Sequence, residues 1–192
     1  NKRFSLVLTG GESPINLYRK FVEYNIDWSN IDLFWGDERF VSQNSKNSNY
    51  KLSYDTFIKK IKINKKNLFP VKTEMNSAIK SSKNYSNLIK KYFKNKNISF
   101  DCFLLGMGND GHIASIFPYS VELKKKFISR PVYRKDFTRI TLSLNVINNS
   151  KKTILWLHNK SKSKKFNKLR ISGKAIPLNK LNKKRTIVYK VE

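Results

Sequence analysis

Short apolar runs alternate along this chain with longer segments in which apolar residues return every three or four positions. The runs read as strands over residues 3–9, 31–35, 68–71, 102–105, 139–144, 153–158 and 186–191. Pro70 has no N–H to give to a sheet ladder, which places 68–71 at an edge. The periodic segments read as helices over 14–24, 49–61, 77–93 and 160–169. Ser13 is expected to cap the first of these, with Pro14 as its first residue. In 77–93 the apolar residues, Tyr85, Leu88, Ile89 and Tyr92 among them, fall near helical spacing and read as core rather than ligand contacts. Strands alternating with helices predict an α/β fold with a mainly parallel sheet flanked by helices. No repeat, linker or low-complexity tail divides the sequence, so residues 1–192 are expected to form a single domain.

Composition narrows the class further. With 192 residues, 39% of them hydrophobic, and 13 Phe and 9 Tyr, the chain can fill a core. The one cysteine, Cys102, sits in an apolar run and has no partner for an internal disulfide, which predicts a reducing, cytoplasmic setting. No apolar run approaches the roughly 18 residues of a membrane span, and the N-terminus lacks a charged-then-apolar secretory pattern. Against these ordinary features stands an extreme charge balance, 40 basic and 13 acidic residues for a formal +27. Such an excess raises nucleic acid as a partner. The basic residues are mostly lysines scattered among asparagine and isoleucine, however, whereas base reading relies on guanidinium forks. A solvated surface explains them better, and a positive field also draws anionic substrates to a cleft.

Candidate chemistry lies in three loops that each follow an apolar run directly. Gly10-Gly11-Glu12-Ser13-Pro14 combines exposed backbone N–H groups with a helix N-terminus, an anion cradle as readily as a plain turn. Gly36-Asp37-Glu38-Arg39-Phe40 sets two carboxylates beside an arginine, either a surface ion pair or a site in which Arg39 binds an anion. Gly106-Met107-Gly108-Asn109-Asp110-Gly111-His112 delivers an aspartate and one of only two histidines. Its glycines match the G-x-G-x-x-G spacing of dinucleotide sites, which also demands a long helix and an acidic residue about 20 positions on. Pro118 ends any helix within about two turns, so no nicotinamide cofactor is expected. The second histidine, His158, reads as structural or loop. In a parallel sheet the three loops share one edge, where ligands bind.

These segments together resemble the 6-phosphogluconolactonases of the pentose phosphate pathway. The resemblance rests on Leu8–Pro14 (LTGGESP), on Trp35–Val41 (WGDERFV) with Ser48-Asn49 after it, on Leu104–Pro118 (LLGMGNDGHIASIFP), on Arg139–Leu142 (RITL), and on Ile176-Pro177 near the end. It covers almost the whole chain. It implies a Rossmann-like fold of the sugar-phosphate isomerase type, shortened at the N-terminus by a strand and helix that the family carries. Glu12 replaces a small residue of the family pattern, and Asn159 a glycine. The implied reaction is hydrolysis of 6-phosphoglucono-1,5-lactone to 6-phosphogluconate, with a phosphorylated sugar lactone as partner and neither metal nor organic cofactor. His112 would be the general base, Asp37 or Asp110 would orient it, and N–H groups of residues 106–111 would meet the oxyanion. The phosphate would rest on Gly10, Gly11 and Ser13, close to Gly108, with Arg39, Arg139 and Lys162 as its cations.

Rival readings are a glucosamine-6-phosphate deaminase or isomerase, a catalytically silent sugar-phosphate or nucleic-acid binder, and a metal hydrolase. Against the deaminase, Ser115-Ile116-Phe117-Pro118 follows the histidine loop, where that enzyme has asparagine, glutamate and proline. Against the metal enzyme, one histidine among hard carboxylates is a poor zinc set.

Overall fold

The computed structural model describes residues 3–123, 126–171 and 176–190. Its strands are β1 (Phe4–Leu8), β2 (Ile31–Trp35), β3 (Asp37–Arg39), β4 (Leu68–Phe69), β5 (Cys102–Leu105), β6 (Ser129–Val132), β7 (Arg139–Leu142), β8 (Lys152–Leu157) and β9 (Thr186–Lys190). The helices are α1 (Ile15–Glu23), α2 (Asn49–Thr56), α3 (Ala78–Tyr92), α4 (Leu144–Asn149) and α5 (Lys160–Ile171). Six strands make one sheet in the order β4-β2-β1-β5-β8-β9, and every pairing in it is parallel. The expected α/β architecture is therefore present. The central strands β1 and β5 bury Val7, Leu8, Phe103 and Leu105 completely, as befits a parallel sheet covered on both faces. No described helix is long and apolar enough to cross a membrane.

A second, three-stranded antiparallel sheet, β3-β7-β6, was not foreseen. Asp37–Arg39 reads as a polar loop, yet it pairs with Arg139–Leu142 through Asp37↔Thr141 and Arg39↔Arg139. The 139–144 segment is thus a strand, as expected, but outside the main sheet. Pro131 sits in β6, on the outer side of this small sheet, where its missing N–H costs nothing.

Two other expectations are corrected at helix ends. Ser13 does not cap α1: Pro14 holds the cap position, with no side-chain hydrogen bond. Gly11 at φ +76° turns the chain, and Ser13 is carried inward until its Cβ lies 3.2 Å from where a Cβ on Gly106 would be. It faces the sheet rim instead of the helix. The 49–61 helix stops at Thr56, because Phe57 swings into an aromatic cluster with Tyr18, Phe21 and Trp28. A single 3-10 turn, Ile58–Lys60, follows. Of the closing segment, Val191 lies outside the described residues.

Two buried tyrosines fix the strand ends that carry the loops. Tyr18 of α1 donates to the Thr9 carbonyl at 2.6 Å and accepts from the Thr9 N–H at 3.0 Å. Tyr85 of α3 does the same at Trp35, at 2.8 and 3.0 Å. Each hydroxyl satisfies both backbone groups at the point where a strand gives way to a loop.

Glu38 is a third anchor. It is 1% exposed and accepts from the N–H groups of Arg39, Asn49 and Tyr50 and from the Ser48 hydroxyl. Its carboxylate thereby ties β3 to the first turn of α2, where a helix favours negative charge.

Tyr85→Phe leaves both Trp35 backbone groups unpaired and is expected to lower unfolding free energy by about 1–3 kcal/mol in urea denaturation. Burial pushes the Glu38 carboxyl up to about 7, against the N–H groups of Asn49, Tyr50 and Arg39 that hold the anion. A value raised in the folded state means that Glu38 contributes most below its ordinary value of 4.5, and that the contribution is lost as pH rises through about 7. The wild type should therefore gain stability over Glu38→Gln as pH falls from about 7.5 to 5, by up to about 3 kcal/mol. A pH-independent difference between the two would contradict this upward shift.

Candidate active site

The three loops open at one rim of the sheet. The parallel register sets Leu8 beside Trp35 and Val7 beside Phe103, so β1, β2 and β5 end together. Gly36 crosses under β1, donating to the Leu8 carbonyl at 2.9 Å. Between the loops lies a cleft of about 280 Å³, near the lower end of the ~300–1,000 Å³ usual for ligand sites. Gly10, Gly11, Ser13, Asp37, Arg39, Gly108, His112, Arg139 and Lys162 all line it. Asp110 alone of the predicted residues stands outside, on the far side of the histidine.

The imidazole is fixed from two directions. His112 Nδ1 lies 2.6 Å from Asp110 Oδ1, which also accepts the His112 backbone N–H at 3.1 Å. A carboxylate only accepts, so this contact puts the proton on Nδ1 and leaves Nε2 free to take one. Burial raises the Asp110 carboxyl, but the His112 side-chain and backbone bonds outweigh it and hold the group at about 2. On its other side the ring lies against bare backbone: a Cβ on Gly108 would come within 2.1 Å of it. Asp110, not Asp37, is therefore the residue that orients His112.

Asp37 belongs to a separate buried network. Its Oδ2 accepts from Ser115 Oγ at 2.6 Å, and its carbonyl from Asn49 Nδ2 at 2.9 Å. Ala114, at φ +46°, makes the tight turn that delivers Ser115. A non-glycine residue in that region stores strain, as chain at functional sites often does. Asn49 Oδ1 is buried without a partner, at the spot where Gly10 would carry a Cβ. Asn49 and Ser115 were not singled out as site residues, although both stand inside the quoted motifs.

The cations are differently committed. Arg39 spends one nitrogen on the Asn47 carbonyl at 2.8 Å. Arg139 forms a two-pronged pair with Asp136 at 2.8 and 2.6 Å, so its fork is already neutralised. Lys162 donates to the Met107 carbonyl at 2.9 Å and to Asn109 Oδ1 at 2.7 Å, clamping the glycine turn. Burial lowers its ammonium, with Asp110 and Glu12 opposing. His158, expected to be a structural or loop histidine, follows β8 directly and lines the cleft beside Lys162. Burial and the Lys162 charge lower its imidazole.

The backbone donors are divided as well. Gly106, Gly108 and Gly111 give their N–H groups to Thr9 Oγ1, the His112 carbonyl and the Gly108 carbonyl. Those three N–H groups are therefore already paired within the protein. The N–H groups of Gly10, Gly11, Glu12 and Ser13, by contrast, find no protein acceptor among the described residues. No cluster of three His, Cys, Asp or Glu side chains among the described residues is arranged to hold a metal ion.

Comparison with known proteins agrees with this geometry. The family described as glucosamine-6-phosphate isomerases/6-phosphogluconolactonase matches residues 1–189. The chloroplastic 6-phosphogluconolactonase 3 of Arabidopsis thaliana is 39% identical over 165 residues, which cover 77% of this chain and 50% of that protein. The 6-phosphogluconolactonase of Nostoc sp. is 33% identical over 150 residues, covering 76% and 62%. The chain thus spans only about half to three-fifths of these relatives' lengths. The crystal structure of 6-phosphogluconolactonase from Thermotoga maritima superposes with a TM-score of 0.87 at 26% identity, over 100% of this chain and 86% of that one. The chain belongs to the glucosamine-6-phosphate isomerase/6-phosphogluconolactonase family.

Proposed function

We propose that this protein hydrolyses 6-phosphoglucono-1,5-lactone to 6-phosphogluconate. The observation that carries the reading is that one cleft is lined both by the oriented imidazole and by residues whose N–H groups are unspent. A lactone is an activated ester, so one positioned water and one base suffice. His112 Nε2 removes a proton from water as its oxygen bonds to the lactone carbonyl carbon. When the tetrahedral intermediate collapses, the bond from that carbon to the ring oxygen breaks, and the imidazolium returns the proton to that oxygen. The new carboxylic acid then ionises to solvent. Asp110 keeps Nδ1 protonated throughout and stabilises the transient imidazolium.

The phosphate rests on the N–H groups of Gly10–Ser13, where a helix begins and anions are favoured. Arg39 supports it with the guanidinium nitrogens it has not given to Asn47. Arg139 reaches the same cleft but must share its charge with Asp136. Lys162 acts first as the clamp on the glycine turn. The positive surface field gathers the phosphorylated substrate. Among the family's activities, ring opening with deamination needs a carboxylate just before the proline that closes the histidine loop, where this chain has Phe117.

The direct assay is acid release from fresh lactone, compared with its spontaneous opening, alongside ammonia release from glucosamine 6-phosphate. Acid release above background without ammonia is expected; the reverse would reassign the enzyme. His112→Ala should lower kcat on the order of a hundredfold or more with little change in KM, the scale of a lost general base. Near-wild-type turnover would remove His112 from that role. Arg39→Ala should chiefly raise KM, by about tenfold, as expected for a lost charged hydrogen bond to phosphate. An unchanged KM would count against a phosphate contact there.

A further inference from the structure

A second cleft opens on the outer side of the His112 imidazole. It shares His112 and Arg139 with the first, and adds Phe117, Tyr133, Arg134 and Lys135 together with two carboxylates, Asp110 and Asp136. Phe117 is the common surface. The imidazole packs on it with ring centroids 4.6 Å apart, and the Arg134 guanidinium carbon lies 4.3 Å from the same centroid. The charges here are not equally available. Asp136 neutralises Arg139, and Asp110 is bonded to His112. Arg134 and Lys135 are exposed and have no carboxylate partner among the described residues.

Lactone hydrolysis creates charge at one atom. The substrate is a neutral ester at C1 and the product a carboxylate, formed beside the base that activated the water. Opening the ring also lengthens the molecule, so a product still held by its phosphate pushes C1 outward past His112. We propose that Arg134, held over Phe117 and assisted by Lys135, is a carboxylate subsite that receives the C1 end of the ring-opened product. This rests on the lactonase reading above. A guanidinium over an aromatic face is oriented before it binds, and its fork matches a carboxylate with two parallel N–H···O bonds. The lactone offers it no such charge, so Arg134 discriminates product from substrate at C1.

Isothermal titration of the wild type and of Arg134→Gln tests this, using 6-phosphogluconate and glucitol 6-phosphate. The second ligand keeps the phosphate and the open chain but carries an alcohol at C1. Arg134→Gln should weaken 6-phosphogluconate about tenfold, or ~1.4 kcal/mol, and leave glucitol 6-phosphate within about twofold. Equal weakening of both would make Arg134 a general or phosphate-directed charge and overturn the subsite. No weakening of either would overturn it too. A wild type that binds neither ligand and does not hydrolyse the lactone would remove the lactonase reading itself, and the subsite with it.

Discussion

Everything at the rim depends on the register of three adjacent parallel strands. Parallel pairing lines up the carboxyl ends of β2, β1 and β5, and each strand is followed at once by a polar, glycine-bearing loop. Loops starting at residues 9, 36 and 106 are far apart in the chain, yet the sheet gives them one origin. A one-residue slip of any strand would turn its apolar side chains to the wrong face, so the buried faces enforce the alignment. The core does not merely support the cleft; it decides which loops can meet.

Alignment alone would leave mobile loops. Buried hydrogen bonds remove that freedom, each from a different element. Tyr18 and Tyr85 lock the last backbone groups before the first two loops. Glu38 then gathers three backbone N–H groups, and Asn49 and Ser115 close on Asp37. Lys162 reaches from α5 to the third loop. Leaving any of these groups unpaired costs more than the bond itself is worth, which makes the arrangement stiff. A stiff rim suits a reaction whose main demand is that water, base and ester carbon be held in line.

Much of this was legible in the residues. The apolar runs located the strands of the main sheet, and the loops that follow β1, β2 and β5 supplied the site. What escaped notice did so for physical reasons. Asp37–Arg39 has no apolar signature, because its burial comes from a partner strand a hundred residues away. Ser13 looked like a helix cap, since sequence shows hydroxyl and helix but not the Gly11 turn that carries the side chain inward. Asp37 and Asp110 were indistinguishable as partners of His112 until distance separated them. Glu38 looked like a surface ion pair; its actual partners are backbone amides, which no letter of the sequence records. The family pattern pointed to Lys162 as a cation of the cleft, but no letter of the sequence showed that its ammonium also reaches the Met107 carbonyl and Asn109 on the glycine turn.

The central claim is spatial: one sugar phosphate spans the cleft with its phosphate on the Gly10–Ser13 amides and its C1 beside His112. A crystal structure with 6-phosphogluconate bound tests it most directly. The account predicts phosphate oxygens within hydrogen-bond distance of those N–H groups, with the opened chain running past the imidazole and its C1 carboxylate directed toward Arg134. A ligand bound in the reverse direction, or outside this cleft altogether, would contradict it.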